Sequence, residues 1–379
     1  MTPLKPHPGF WIALVCVAGA WWLRPRPASS VSAEKFECPP APAPAAGAPS
    51  PTPSFTIPTK DATPPAQTPV LFQEIEALLL QLQKGQATAA ELSALKQKLL
   101  RANPKLAIQA ILQFLATGRD AVTGAEFSLG AGGLLQNAPT LRVTLMDWLG
   151  KIARDTRLPD AALFGRSVLS SATTPEEWAV SLRNVAWHDP QSGAFLSAKF
   201  REMILHSEWR KNPSAGFLEA MDVAVFVKDP QLVGPLAALL GEPQPSVQRA
   251  AAVALDRLSE AAPLAVMTYL NTHPETGAAR PLVRADYFAK ADLSQPLQRE
   301  ALETYLDRAD VSAREKEKCL QGLATPASFV SDNLLTTSQP TPENPSRQIA
   351  FEQTLQGWVQ SNRFPALRPA LEKIRTTEP

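Results

Sequence analysis

Beyond position 70, the residues best suited to proton transfer or metal ligation near neutral pH are His188, His206 and His273. Glu202 and His206 stand four residues apart, so a helix would put them on one face. A zinc site of the H-E-x-x-H kind needs a second histidine in that register, and there is none. His188 precedes Asp189 and Pro190, which mark a helix boundary, and a capping place suits it better than a catalytic one. Ser93-Ala94-Leu95-Lys96 has the S-x-x-K spacing of a serine acyl enzyme, but neither an S-D-N nor a K-T-G partner is expected to accompany it. Glu176 and Glu177 fit a first helical turn, where the macrodipole favours acids. The stretch from Gly118 to Gly133, GRDAVTGAEFSLGAGG, lacks G-x-x-x-x-G-K-[ST], so it is not a phosphate loop. Glycine's backbone freedom suits it to a joint or a close helix contact. Cys16, Cys38 and Cys319 make neither a C-x-x-C nor a disulfide framework. These residues assign no catalytic group, cofactor or metal ligand, and catalysis is not expected.

The elements that carry these residues read as helices. Leu71, Ile75, Leu78, Leu79 and Leu82 recur at three and four residues. So do Leu141, Leu145, Trp148, Leu149 and Ile152, and later Leu302, Tyr305 and Leu306. No run of alternating apolar and polar residues with turns at both ends predicts a strand. Asn103-Pro104, Asp189-Pro190, Asn212-Pro213, Asp229-Pro230 and Asn344-Pro345 each pair a good N-cap with proline, so each predicts a helix start. Thr88–Glu91, Thr174–Glu177 and Ser312–Glu315 have capping-box spacing. A loop over Thr336 to Pro345 separates two last helices, Arg347–Asn362 and Pro365–Ile374. The body over 70–379 is therefore expected to be all-α. Its tryptophans, Trp148, Trp178, Trp187, Trp209 and Trp358, are core anchors by default. Exposed on one face, they would instead mark a partner site.

The N-terminal region is of another kind. After a tail over 1–8, residues 9–23 read GFWIALVCVAGAWWL without a charge. As a helix they span about 22 Å, between a signal-peptide core and a full transmembrane helix. Trp11 at one end and Trp21 and Trp22 at the other match the interfacial place of tryptophan, so a retained signal-anchor is expected. Ala18-Gly19-Ala20 leaves a cleaved signal peptide open. Thirteen of the residues over 24–69 are proline, against an average of about 5%, which predicts a disordered spacer of polyproline type. Fully extended, it reaches about 140 Å. The positive-inside rule alone puts the body in the cytoplasm, whereas an extended spacer favours the exported, periplasmic side. The chain carries a net charge of +1, and the near-neutral body offers no basic stripe for nucleic acid.

Two features point to repeats. Asp189-Pro190-Gln191 recurs forty residues on as Asp229-Pro230-Gln231, with Val185, Leu196 and Ala198 matching Val225, Leu236 and Ala238. Residues 229–258, DPQLVGPLAALLGEPQPSVQRAAAVALDRL, resemble a HEAT repeat: Asp-Pro opens a first helix, prolines mark the turn, and small apolar residues line the second. The turn departs from the pattern, since its usual aspartate is absent and Gln248 stands where an arginine partner often does. The resemblance implies an α-solenoid that binds proteins rather than catalyses. The expectation is an envelope-anchored scaffold with a protein partner. An all-α enzyme whose site assembles only in space, and a self-associating structural protein, are the alternatives.

Overall fold

The computed structural model describes residues 67–171, 174–278, 280–324, 331–338 and 345–377, all within the unit Ala62–Pro379. The expected anchor over 9–23, with Trp11, Trp21 and Trp22, lies outside the described residues, as do Cys16, Cys38 and the spacer as far as residue 66. Among the described residues, no helix is long and apolar enough to cross a membrane.

The body is mostly helical. It opens with α1 (Gln67–Gln83), α2 (Ala89–Arg101) and α3 (Pro104–Ala116). A small antiparallel pair, β1 (Ser128–Leu129) and β2 (Leu135–Asn137), follows with a 3-10 turn at Ala131–Gly133 between its strands. Then come α4 (Leu141–Thr156), α5 (Asp160–Val168), α6 (Pro175–His188), α7 (Gly193–Leu205), α8 (Ser207–Lys211), α9 (Ala215–Glu219) and α10 (Asp222–Val227). The 3-10 turn Pro230–Leu232 leads into α11 (Val233–Leu239), α12 (Pro245–Ala261), α13 (Pro263–Thr272), α14 (Pro281–Phe288), α15 (Pro296–Asp307) and α16 (Ala313–Ala324). A hairpin of β3 (Ser331–Asp332) and β4 (Thr337–Ser338) precedes α17 (Pro345–Gln360), the 3-10 turn Pro365–Leu367 and α18 (Arg368–Thr377).

Helices pack on their sequence neighbours and on the helix after next. One layer runs α4 on α6, α6 on α9, α9 and α10 on α12, then α12, α14, α16 and α18 in turn. A second layer backs it: α5 lies on α4 and α6, α7 on α6 and α10, and α11 on α12. Also in that second layer, α13 packs on α12 and α14 of the first layer and on α15 beside it, and α17 packs on α18 of the first layer. The apolar spacing explains the arrangement. Leu141, Leu145, Trp148, Leu149 and Ile152 are all buried on α4, and such a stripe must find a partner face. From Glu177 to Ala186, α6 is buried on every side, because α4, α5, α7 and α9 all lie against it. Gly150 makes one of these approaches possible: a Cβ there would meet the Asn184 side chain at 2.1 Å.

Several boundaries follow their caps. Thr88 and Glu91 form a complete capping box, and the Asn103 side chain accepts the N–H of Lys105. The other two boxes form by half. Thr174 accepts from the N–H of Glu177, and Ser312 from that of Glu315. The carboxylates, however, reach other helices. Glu177 pairs with Arg142 at 3.1 Å, while Glu315 takes Arg284 at 2.7 Å and the Tyr305 hydroxyl at 2.8 Å. A buried arginine outbids a backbone N–H because its charge must be matched.

Four expectations need correction. Short strands are present: β1, β2, β3 and β4 have two or three residues each, too few for an alternating pattern to register. The helical body begins at Gln67, so Gln67, Thr68 and Pro69 belong to α1 and not to the spacer; proline is tolerated there because a first turn has no partner for its missing N–H. Asp189-Pro190 and Asn212-Pro213 do not start helices. Asp189 caps the end of α6, Asn212 caps the end of α8, and α7 and α9 begin after Ser192 and Ser214. The last helices are not set apart, since α18 packs on α16 and the Trp358 indole N–H donates to Glu303 at 2.8 Å.

Candidate functional site

The residues singled out for chemistry stay apart. Glu202 pairs with Lys199, and the His206 ring stacks on Trp209 with centroids 4.2 Å apart. His188 is the last residue of α6 and does not cap it. Its Nε2–H donates to the Gly150 carbonyl of α4 at 3.2 Å, and burial lowers its pKa against the opposing effect of that bond. Ser93 lies exposed on α2, which packs only on α1 and α3 among the main contacts. An S-D-N tripeptide, a companion of S-x-x-K in some acyl enzymes, does occur at Ser331-Asp332-Asn333, and sequence reasoning missed it. It opens the hairpin, on elements other than those around Ser93. No cluster of histidine, cysteine and carboxylate able to hold a metal occurs among the described residues. Trp148, Trp178 and Trp358 are buried, while Trp187 and Trp209 are half-buried, so no tryptophan stripe faces solvent.

What the fold does assemble is a set of buried polar centres along the first layer. On α4 and α6, Asp147 accepts from Arg183 Nη1 at 2.6 Å and from the Leu135 N–H at 2.9 Å. Arg183 is fully buried, also donates to the Gly133 carbonyl at 2.7 Å, and lies over the Trp187 ring at 4.2 Å, as Arg154 does at 4.1 Å. On α14 and α16, Arg284 and Glu315 form a two-pronged pair. Between these lies the third centre, and it is the one that holds a loop.

The third centre is Asp222, at the start of α10, with Arg257 of α12. Asp222 Oδ1 accepts from Arg257 Nη1 at 2.7 Å and from the Thr336 hydroxyl at 2.6 Å. Its Oδ2 accepts the backbone N–H groups of Leu335 at 2.7 Å and Thr336 at 2.8 Å. Arg257 Nη2 donates in turn to the Thr336 hydroxyl. The carboxylate is 3% exposed, and every donor around it is supplied by α12 or by the hairpin. The hairpin enters tip first. Asn333 N–H closes the turn on the Thr336 carbonyl at 3.1 Å, which leaves the N–H groups of Leu335 and Thr336 to face Asp222. Leu334 is completely buried beside the 131–133 turn. Gly133 makes room for it, with φ at +73° and space for no Cβ: one built there would lie 2.2 Å from the Leu334 carbonyl oxygen.

Beside this seat opens a cavity of about 450 Å³, lined by Val225, Phe226, Lys228, Glu260, Thr337 and others. Glu219, at the end of α9, is half-buried nearby. Burial raises its pKa, the Asp222 charge adds to the rise, and Arg257 opposes it. The Gly118–Gly133 stretch reads in sequence as a joint or a close helix contact, whereas Gly133 makes its close contact with the hairpin at Leu334; Asp222, Arg257, Leu334 and Thr336 were not legible at all. Their pairing spans 35 residues in one case and over a hundred in the other. One signal was available for Arg183: a charge inside the run Trp178-Ala-Val-Ser-Leu-Arg-Asn-Val-Ala, apolar on all faces, must find its partner indoors.

No protein-family model matches the chain, and no curated protein and no solved structure matches it either.

Proposed function

We propose that the protein is a membrane-anchored scaffold whose body is a HEAT-like α-solenoid and binds another protein through its first helix layer. The two-layer stacking supports the repeat reading. So does the Asp-Pro-Gln echo. Asp189 and Asp229 each accept the N–H of the glutamine two residues on, and each takes an arginine from an earlier helix, Arg166 or Arg201. Val185, Val225, Leu196 and Leu236 are buried, and Ala198 and Ala238 are exposed, so the matched positions share their surroundings. Such arrays use one layer as a binding face.

The observation that carries the binding reading is the seat at Asp222, where the first layer already grips a polypeptide tip by main-chain N–H groups and one leucine. The anchor over 9–23 and the extended spacer would hold that face at a distance from the bilayer, on the exported side. The test is crosslinking of the full-length chain in native membranes, compared with Phe226→Glu at the cavity rim and with Leu80→Glu on α1, an exposed leucine on a helix whose main contacts are α2 and α3. A protein crosslinked by the native chain and by Leu80→Glu but lost in Phe226→Glu supports the proposal. Crosslinks only to further copies of the chain would instead favour a self-associating structural protein. Their complete absence would end the binding reading.

A further inference from the structure

We infer that the Asp222 seat is a receptor for a β-turn of another polypeptide, and that the hairpin tip Asn333–Thr336 is its resident, exchangeable occupant. The inference rests on the binding-module reading and names the ligand: a leucine at the tip, followed by two adjacent N–H groups that its own turn leaves unpaired, the second belonging to a threonine.

The recognition is local to four residues. Leu334 fills the apolar part beside Gly133, and the two N–H groups reach one carboxylate oxygen. The threonine hydroxyl bridges Asp222 and Arg257, donating to the first and accepting from the second. A carboxylate with one oxygen aimed at backbone donors reads the main chain of a turn, whatever its side chains. The leucine and threonine then supply selectivity.

The occupant is weakly supported by its own structure. Its two strands pair over two residues each, and a two-stranded ribbon so short has little stability alone. The polar edge of the seat is reachable: Thr336, Thr337 and Arg257 line the 450 Å³ cavity together with Phe226, which is 38% exposed. An incoming turn can engage that edge first, and the apolar place beside Gly133 opens to it only as Leu334 withdraws.

The test uses a cyclised peptide of the sequence SDNLLTTS, which is residues 331–338 of this chain. It is titrated by calorimetry against two full-length variants with the seat vacated. In one, residues 331–338 are replaced by a Gly-Ser linker of equal length. In the other, Leu334→Asp keeps the hairpin but bars its tip from an apolar place. Saturable binding is expected to both, weakened at least about tenfold by Asp222→Ala in the same backgrounds, since the peptide then loses three charge-assisted hydrogen bonds to one carboxylate. A peptide with aspartate in place of the leucine is expected not to bind. Folded vacated chains that ignore the peptide overturn the inference, and so does binding that survives Asp222→Ala unchanged. If neither variant keeps its helical circular dichroism, the hairpin is a fixed part of the fold and the inference falls as well. Failure here leaves the crosslinking test intact, because that experiment reads every surface of the body.

Discussion

Arg183 sits among apolar side chains with no exposure, and its charge is tolerable only because Asp147, the Gly133 carbonyl and the Trp187 ring surround it. Burial lowers its pKa, and Asp147 opposes that shift. Removing the carboxylate leaves the guanidinium uncompensated. Asp147→Ala is therefore expected to lose about 3–5 kcal/mol, while Asp147→Leu with Arg183→Met loses much less than either change alone. Urea unfolding of the native chain, Asp147→Ala, the two single changes and the double variant checks this. Additive losses would mean that the pair does not act as a unit. Glu219 makes the opposite case at the same scale. Its carboxyl has an ordinary pKa of 4.5 that burial raises in the folded chain. Between those two values the folded state holds the proton and the unfolded state does not, so stability falls as pH rises through that window. Glu219→Gln is expected to raise the melting temperature at pH 7, with the gain shrinking on acidification and absent below pH 4.5, the ordinary pKa. A gain that is constant from pH 7 to pH 4 would show that the buried charge is not its source.

At the scale of elements, the three capping-box sequences separate local from tertiary roles for one residue type. Glu91 serves only its own helix start and its threonine. Glu315 has the same spacing from Ser312, yet its carboxylate joins α14, α15 and α16 through Arg284 and Tyr305. Thr88→Ala and Glu91→Ala are each expected to cost about 1 kcal/mol or less, whereas Glu315→Ala should cost about 3–5 kcal/mol by stranding Arg284. Thermal melts that rank Glu91→Ala above Glu315→Ala would contradict this assignment. The same contrast explains what the sequence could tell. Helix existence and many helix starts depend on residues within four positions, so Thr88, Asn103 and the Leu141–Ile152 stripe announced themselves. Asp189-Pro190 misled because an aspartate can cap an end as well as a beginning, and its side chain accepts the N–H two residues on in either case. The Asp222 seat was illegible for a different reason. It joins α10, α12 and a hairpin after α16, and no local pattern encodes which turn fills which gap. The Gly118–Gly133 stretch stood out for its glycines, of which Gly118, Gly124, Gly132 and Gly133 lie at positive φ and Gly133 also has no room for a Cβ.

Across the whole body, most contacts join a helix to its neighbour or to the next but one, so stability should be a sum of local terms with weak coupling between distant parts. The hairpin tip is the exception. It ties Leu335 and Thr336 to Asp222, more than a hundred residues earlier, and Leu334 to the turn at Gly133. Loop closure on that scale is entropically costly, so the tip should dock after the helices and leave before them. Gly133→Ala tests this with Asp222, Arg257 and Thr336 all left in place, although the Gly133 carbonyl also accepts from Arg183. The new Cβ would strike the Leu334 carbonyl at 2.2 Å and adds a left-handed strain of about 1–2 kcal/mol. Hydrogen exchange followed by mass spectrometry is expected to show Leu335 and Thr336 exposed by the substitution, α10 and the C-terminal half of α12 moderately faster, and α1 to α3 unchanged. Equal acceleration of α1 to α3 would mean that the body unfolds as one cooperative block. Unaltered protection at Leu335 and Thr336 would mean that Asp222 and Arg257 hold the tip without help from the glycine turn. Only local release is consistent with a seat whose occupant can be exchanged while the stack that presents it stays folded.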